Sequence, residues 1–396
     1  MIRIVFVDDE PNVLKGLMDA LRRQRRSWEM TFFESGSQAL NFLSQNSADI
    51  IVSDMRMPQM DGGELLEAVR QLHPHMTRIV LSGHSERDQL LRASAVAHQY
   101  LSKPCNGQAL RDALAGIARA REQFSNRGVH EMVGRLDALT SVGALQQEMM
   151  QFTAGGSSIH EALAILLAKE SDLEARVVEL ACQAFPELDL GVQSNTKVLD
   201  ALGFERVHGI SLAASMVADL IQCNAFEKFG HARWIKHSLR CARIAEELIF
   251  EPDQKAAGFS AGLLHNIGEV VHSLIEPEVY VEIGNAIASD ASDPCEVETN
   301  ALGFHHGQTG GFLLDSWGLK PEIAQVALHH HETEPTLSSA LKGQERLLSM
   351  TKAIQLADRL ADCDSSANEP LAESTSRVIQ TLRDDWSRRD TALVEA

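Results

Sequence analysis

Apolar and polar positions along this 396-residue chain follow two patterns, one after the other. Up to about residue 105, short apolar runs alternate with amphipathic stretches. The runs at 2–7, 29–33, 49–53, 78–82 and 98–102 read as strands, because unbroken apolar runs of that length suit strands covered on both faces. Helices are expected between them, near 11–24, 36–45, 62–72 and 86–95, with another starting at 107. Strict alternation of this kind predicts an α/β doubly wound five-stranded parallel sheet with strand order 2-1-3-4-5.

Beyond 107 the strand signal fades. The helix at 107–124 carries an apolar stripe through Leu110, Leu114, Ile117 and Phe124, which Arg121 interrupts. Ser125-Asn126-Arg127-Gly128 reads as a stop, and a second apolar set follows at Val129, Met132, Val133, Leu136 and Leu139. Fewer than three clean heptads leaves two readings: packing on the chain's own domains, or pairing between subunits. From about 138 the apolar period is three to four, so the remainder is expected to be all-α. Helices are expected at 170–185, 198–202, 208–222, 231–249, 254–273, 277–288, 295–316, 320–331 and 343–361. The expected division is 1–122, a helical linker at 123–137, a helical domain at 138–362, and a tail at 363–396 with an amphipathic segment through Val378, Leu382 and Trp386.

Composition narrows the function classes. A formal net charge of −19 opposes nucleic acid as the default partner, because phosphate contact needs clustered Lys and Arg. The basic run Arg22-Arg23-Gln24-Arg25-Arg26 follows an amphipathic stretch and reads as a solvated helix end. Six scattered cysteines with no Cys-x-x-Cys pair suit reduced thiols. With no signal peptide and no membrane-length apolar run in view, a cytoplasmic location away from membranes is expected.

Candidate chemistry sits at the strand ends. Ile50-Ile51-Val52-Ser53 leads to Asp54, then Met-Pro-Gln-Met-Asp-Gly. The first strand ends in Asp8-Asp9, the fourth in Ser82-Gly83, and the fifth in Lys103-Pro104. In open parallel sheets, ligands gather at the carboxyl ends of the strands. Over about 1–120 this order resembles the flavodoxin-like receiver domain of two-component response regulators. The resemblance implies that Asp54 accepts a phosphoryl group from a histidine kinase. It also implies that Asp8, Asp9, Asp54 and the Arg56 backbone carbonyl hold Mg2+. Lys103 and Ser82 would contact the phosphoryl oxygens. A switch would run through Ser82, Tyr100 and a cis peptide at Pro104.

A second resemblance covers about 138–335. Trp234-Ile235-Lys236-His237-Ser238, Gly262-Leu263-Leu264-His265-Asn266-Ile267-Gly268 and the stretch from His306 to Trp317 are similar to the HDOD domain, a helical relative of HD-type phosphohydrolases. That resemblance maps an HD site onto His237, His265, Asn266, His306, His329 or His330, and Asp358. Position 266 is Asn where the HD pair has Asp, and an amide cannot bridge two hard cations as a carboxylate does. The histidines are then either ligands for a single soft transition metal or hydrogen-bonded members of a helical core. His330-His331-Glu332 is similar to the start of the HD-GYP signature, but Thr333-Glu334-Pro335 follows in place of Gly-Tyr-Pro. The expected function is therefore a response regulator with a non-catalytic HDOD output acting by protein–protein contact on a downstream signalling protein. The alternative is a receiver-gated, metal-dependent phosphohydrolase. A homodimer is expected, because receivers often pair.

Overall fold

The computed structural model describes residues 1–82, 96–103, 107–136, 171–188, 195–222, 231–290 and 293–363. The helix expected at 86–95, the opening of the helical domain before 171, and the tail segment through Trp386 lie outside the described residues.

Strands β1 (Ile2–Val7), β2 (Trp28–Phe33), β3 (Ile50–Asp54), β4 (Thr77–Ser82) and β5 (Gln99–Ser102) pair in parallel in the order β2-β1-β3-β4-β5. Successive strand side chains point to opposite faces, so one sheet builds two cores. Around it lie helices α1 (Pro11–Ala20), α2 (Gly36–Leu43), α3 (Gly62–Leu72) and α4 (Gly107–Gln123). Val5, Val7, Ile51 and Val80 pack with Leu43 of α2 and with Leu65 and Val69 of α3. Ile4, Phe6, Val52 and Leu81 pack with Leu14 of α1 and with Leu110, Leu114 and Ile117 of α4. The arginine run forms a short 3-10 turn after α1, with its four arginines exposed.

The rest of the described chain is helical: α5 (Arg127–Gly134), α6 (Ser171–Ala184), α7 (Asn195–Leu202), α8 (Phe204–Gln222), α9 (His231–Leu248), α10 (Pro252–Leu264), α11 (Ile267–Ile275), α12 (Pro277–Asp290), α13 (Pro294–Leu302), α14 (His306–Ser316), α15 (Pro321–His329), α16 (Glu334–Ala340) and α17 (Glu345–Cys363). Two expected helices are each divided in the structure. The stretch 254–273 breaks at His265-Asn266 into α10 and α11. The stretch 295–316 breaks where Gly303, at φ 85°, caps α13 in a backbone conformation that suits glycine. Helix α16 was not expected: its seven residues, EPTLSSA, bury little more than Leu337.

Helix α4 belongs to two cores. Its first half packs on the sheet, and Ala120 and the following Phe124 pack in the helical domain. Phe124 stacks edge-on to Phe312 of α14, with ring centroids 5.9 Å apart. The segment expected as a linker is built into that core through Val129, Met132 and Val133 of α5. Arg121, which interrupts the apolar stripe, is itself buried, and donates to His75 O (2.8 Å) and Thr77 Oγ1 (3.2 Å). Arg78, 1% exposed, donates to Met76 O (3.3 Å), to Val96 O, and across the domain boundary to Gly134 O (3.0 Å). Gly134 lies flat against the receiver, where a Cβ would sit 1.6 Å from Pro74 O.

One buried ion pair fastens α13 to α14. Glu298 Oε2 accepts from both the backbone N–H (2.7 Å) and Nδ1 (2.8 Å) of His306. Burial alone would raise the Glu298 carboxyl, but the charge and hydrogen bonds of His306 outweigh it and lower the group to about 2. Burial would lower the His306 imidazole, but the charge of Glu298 outweighs it and raises the ring to about 9.

Two expectations follow from these contacts. Gly134→Ala should lower full-chain stability by about 1–3 kcal/mol, because backbone must move to admit the methyl, and urea unfolding measures it. Glu298→Gln should cost about 3–5 kcal/mol, the scale for breaking a buried pair. Stability owed to the Glu298 shift is complete above 4.5 and lost as pH falls toward 2. That owed to the His306 shift is complete below 6.5 and lost as pH rises through 9. The variant's deficit should therefore be largest between pH 4.5 and 6.5 and shrink toward pH 9, as followed by denaturant unfolding across pH.

Candidate functional site

The carboxyl ends of three strands bring the first site together. Asp54 is the last residue of β3, and Asp8 directly follows β1, its neighbour in the sheet. Lys103 directly follows β5. Its ammonium donates to Asp8 Oδ2 at 2.7 Å and also to Asp54 Oδ1, bridging two buried carboxylates. Asp54 Oδ2 accepts from the Arg56 backbone N–H (2.8 Å), and Asp8 Oδ1 from Glu10 N (3.0 Å). Asp9 lies half-buried between Asp8 and Glu10.

The turn after Asp54 is held by its own chemistry. Gly62 N donates back to Met55 O (3.0 Å), and Gln59 takes a positive φ of 69°. Asp61 caps α3 reciprocally with Glu64, through bonds of 2.8 and 3.0 Å. The Asp54 carboxyl is raised, first by burial and further by the nearby Asp8 charge, while Lys103 and Arg56 N–H oppose the shift. Burial works to lower the Lys103 ammonium, but its bonds to Asp54 and Asp8 prevail and raise it. Two repelling carboxylates form a hard-oxygen donor set of the kind that suits Mg2+. On the backbone, Ser82 ends β4 and Tyr100 lies within β5, paired with Val80. The side chains of both, and all of Pro104, lie outside the described residues.

The helical domain gathers a second group. Asp358 of α17 accepts at Oδ1 from His237 Nε2 of α9 (3.0 Å) and lies 3.3 Å from Nε2 of His265, the residue that ends α10. His265 Nδ1 donates to Gly262 O (2.7 Å). Burial would raise the Asp358 carboxyl, but these histidines hold it far below its ordinary range. His330 Nδ1 donates to Ala327 O (2.8 Å), and its Nε2 lies 3.0 Å from Asn266 Oδ1 and 3.3 Å from His306 Nε2. Burial holds the His330 ring well below its ordinary value. His237, His265, Asn266, His306, His330 and Asp358 thus form one connected cluster. His329 turns aside to pair with Glu332 (2.9 Å).

The structure adds participants that sequence reasoning missed. Glu298 orients His306, and His272 Nε2 bonds Thr309 Oγ1 (2.9 Å). Glu269 is raised, chiefly by burial, beside the same histidines. Two sets of donor atoms lie within 4.8 Å of one another: His237, His265 and Asp358, and separately Cys295, His306 and His331. The triple His329-His330-His331 signalled histidine density, but nothing in the pattern around Cys295 or Glu298 marked either residue.

Comparison with known proteins agrees with this two-part architecture. A family model described as the response regulator receiver domain matches residues 4–115, and one described as the HDOD domain matches 139–333. Transcriptional regulatory protein GlrR of Escherichia coli (strain K12) is 32% identical over 125 residues, 30% of this chain and 28% of that protein. DNA-binding transcriptional regulator NtrC of Klebsiella pneumoniae is 34% identical over 123 residues, 31% of this chain and 25% of that protein. The chain thus spans under a third of the length of these relatives. The solved signal receiver domain of an HD domain-containing protein from Pseudomonas fluorescens Pf-5 is 32% identical, with a TM-score of 0.28 over 29% of this chain and 84% of that one. By its matched domains and its sheet topology, the chain is a response regulator in which an N-terminal receiver domain is joined to an HDOD domain.

Proposed function

We propose that Asp54 accepts a phosphoryl group from a histidine kinase, with Mg2+, and that the change is read by an HDOD domain acting through contact with another protein. The observation that carries this reading is the single ammonium of Lys103 bonded to both Asp8 and Asp54. A carboxylate held at a strand end, with an adjacent cation for the incoming anion, is arranged as a nucleophile toward phosphorus. Mg2+ would be held by Asp8, Asp9, Asp54 and the Arg56 carbonyl, and would screen these carboxylates from the anion. Lys103 then supplies a point charge for the phosphoryl oxygens. Ser82 donates to another oxygen and Tyr100 turns inward.

A new anion on Asp54 changes what Lys103 is bonded to. Lys103 lies four residues before α4, the helix whose far end packs in the HDOD core. Phosphorylation therefore acts on the element shared by both domains, and it shifts a population only as far as the phosphate's contacts favour one arrangement over the other. The functional division follows as a receiver at 1–122, a linker at 123–137, an HDOD unit at 138–362 and a tail at 363–396. No helix among the described residues is long and apolar enough to cross a membrane.

A second reading, metal-dependent phosphohydrolysis gated by the receiver, draws on the closeness of His237, His265 and Asp358. Against it stands Asn266, an amide beside His330 where a metal-bridging carboxylate would be required.

Acetyl phosphate with Mg2+ should label the full chain at one site, and Asp54→Asn should abolish the label in intact-mass analysis; labelling that persists in the variant refutes the assignment. Assays on cyclic dinucleotides and nucleotides should show no turnover dependent on His265; a rate lost in His265→Ala would favour the hydrolase.

A further inference from the structure

Cys295, His306 and His331 come from three separate stretches: the first turn of α13, the start of α14 and the turn after α15. Their donor atoms nevertheless lie within 4.8 Å of one another, with His306 buried and the other two half-buried. The orientation of the rings is as informative as their proximity. His306 Nδ1 donates to Glu298 Oε2 (2.8 Å), so Nε2 is the nitrogen aimed at the neighbouring histidines. His330 Nδ1 is engaged in the same way, donating to Ala327 O (2.8 Å).

Two imidazoles with both Nδ1–H groups engaged present Nε2 lone pairs to each other, here 3.3 Å apart. Something positive must lie at that point. Two nitrogens bound at 2.0–2.1 Å to one tetrahedral ion stand about 3.4 Å apart, so the spacing fits a metal. A histidine that donates its second N–H to a carboxylate is also the usual way a ligating ring is fixed in one tautomer. One thiol among imidazoles selects a thiophilic ion over Mg2+.

We propose that Cys295 Sγ, His306 Nε2 and His331 bind one Zn2+-class ion, with His330 at its edge and Glu298 as the residue positioning His306. The thiol releases its proton to solvent as the ion binds. This set is distinct from His237, His265 and Asp358, which contains no sulfur. It needs no bridging carboxylate, so Asn266 is no obstacle, and the ion joins three stretches of the HDOD fold.

The test uses the full chain, stripped with chelator and titrated with Co2+ as a spectroscopic substitute for Zn2+. One equivalent should bind, with a thiolate-to-cobalt charge-transfer band in the near ultraviolet that Zn2+ displaces. Cys295→Ser should abolish the band, and His331→Gln serves the same purpose if the first variant does not fold. Glu298→Gln should weaken binding about 10- to 100-fold. Asp358→Asn should leave the band intact. Cobalt bound without the band, a band that survives in Cys295→Ser, or no binding at all would each overturn the proposal.

Discussion

Two buried carboxylates cannot share one end of a sheet without a cation between them. Lys103 Nζ supplies that cation, and the geometry of the receiver follows from the need to place it. Asp8 and Asp54 come from neighbouring strands, and Lys103 follows the edge strand beyond β4, so only the order β2-β1-β3-β4-β5 in parallel register brings all three together. The apolar runs that hold that register do so by filling both faces, with Val5 and Ile51 on one side and Phe6 and Val52 on the other. The polar end is thus positioned by residues that take no part in it, and burial strengthens its electrostatics because less water screens the charges.

The same economy governs the connection to the HDOD domain. Helix α4 reaches both cores, and its polar interruptions are satisfied: Arg121 bonds back to the receiver backbone, while Arg78 reaches out to α5. Within the HDOD core, histidines that would be costly if unpaired find partners in Asp358, Glu298, Thr309, Ala327 O and Gly262 O. Where an HD hydrolase would have a carboxylate at 266, this protein has an amide next to His330.

The receiver was legible in the sequence because its signals are local. Strand runs two to six residues long end on Asp8, Asp54 and Lys103, and the period changes sharply after them. The HDOD helices were legible as apolar stripes, but not their interruptions. His265-Asn266 and Gly303 break helices inside stretches whose apolar spacing runs on unbroken, so periodicity alone joined α10 to α11 and α13 to α14. Arg121 read as a defect in a stripe because its partners, His75 and Thr77, lie more than 40 positions earlier. Glu298 and Cys295 carried no signal at all: their significance depends on His306 and His331, which reach them only through the fold.

The flat seat of Gly134 against Pro74 bears on how such regulators are assembled from interchangeable parts. A receiver is often treated as a cassette that ends with its last helix. Here the cassette's true edge lies past α5, because Arg78 and Pro74 of the receiver are matched to the backbone of residue 134. A foreign receiver grafted on at residue 122 would meet this surface without its complement, and the two halves would be joined by peptide bonds without being coupled.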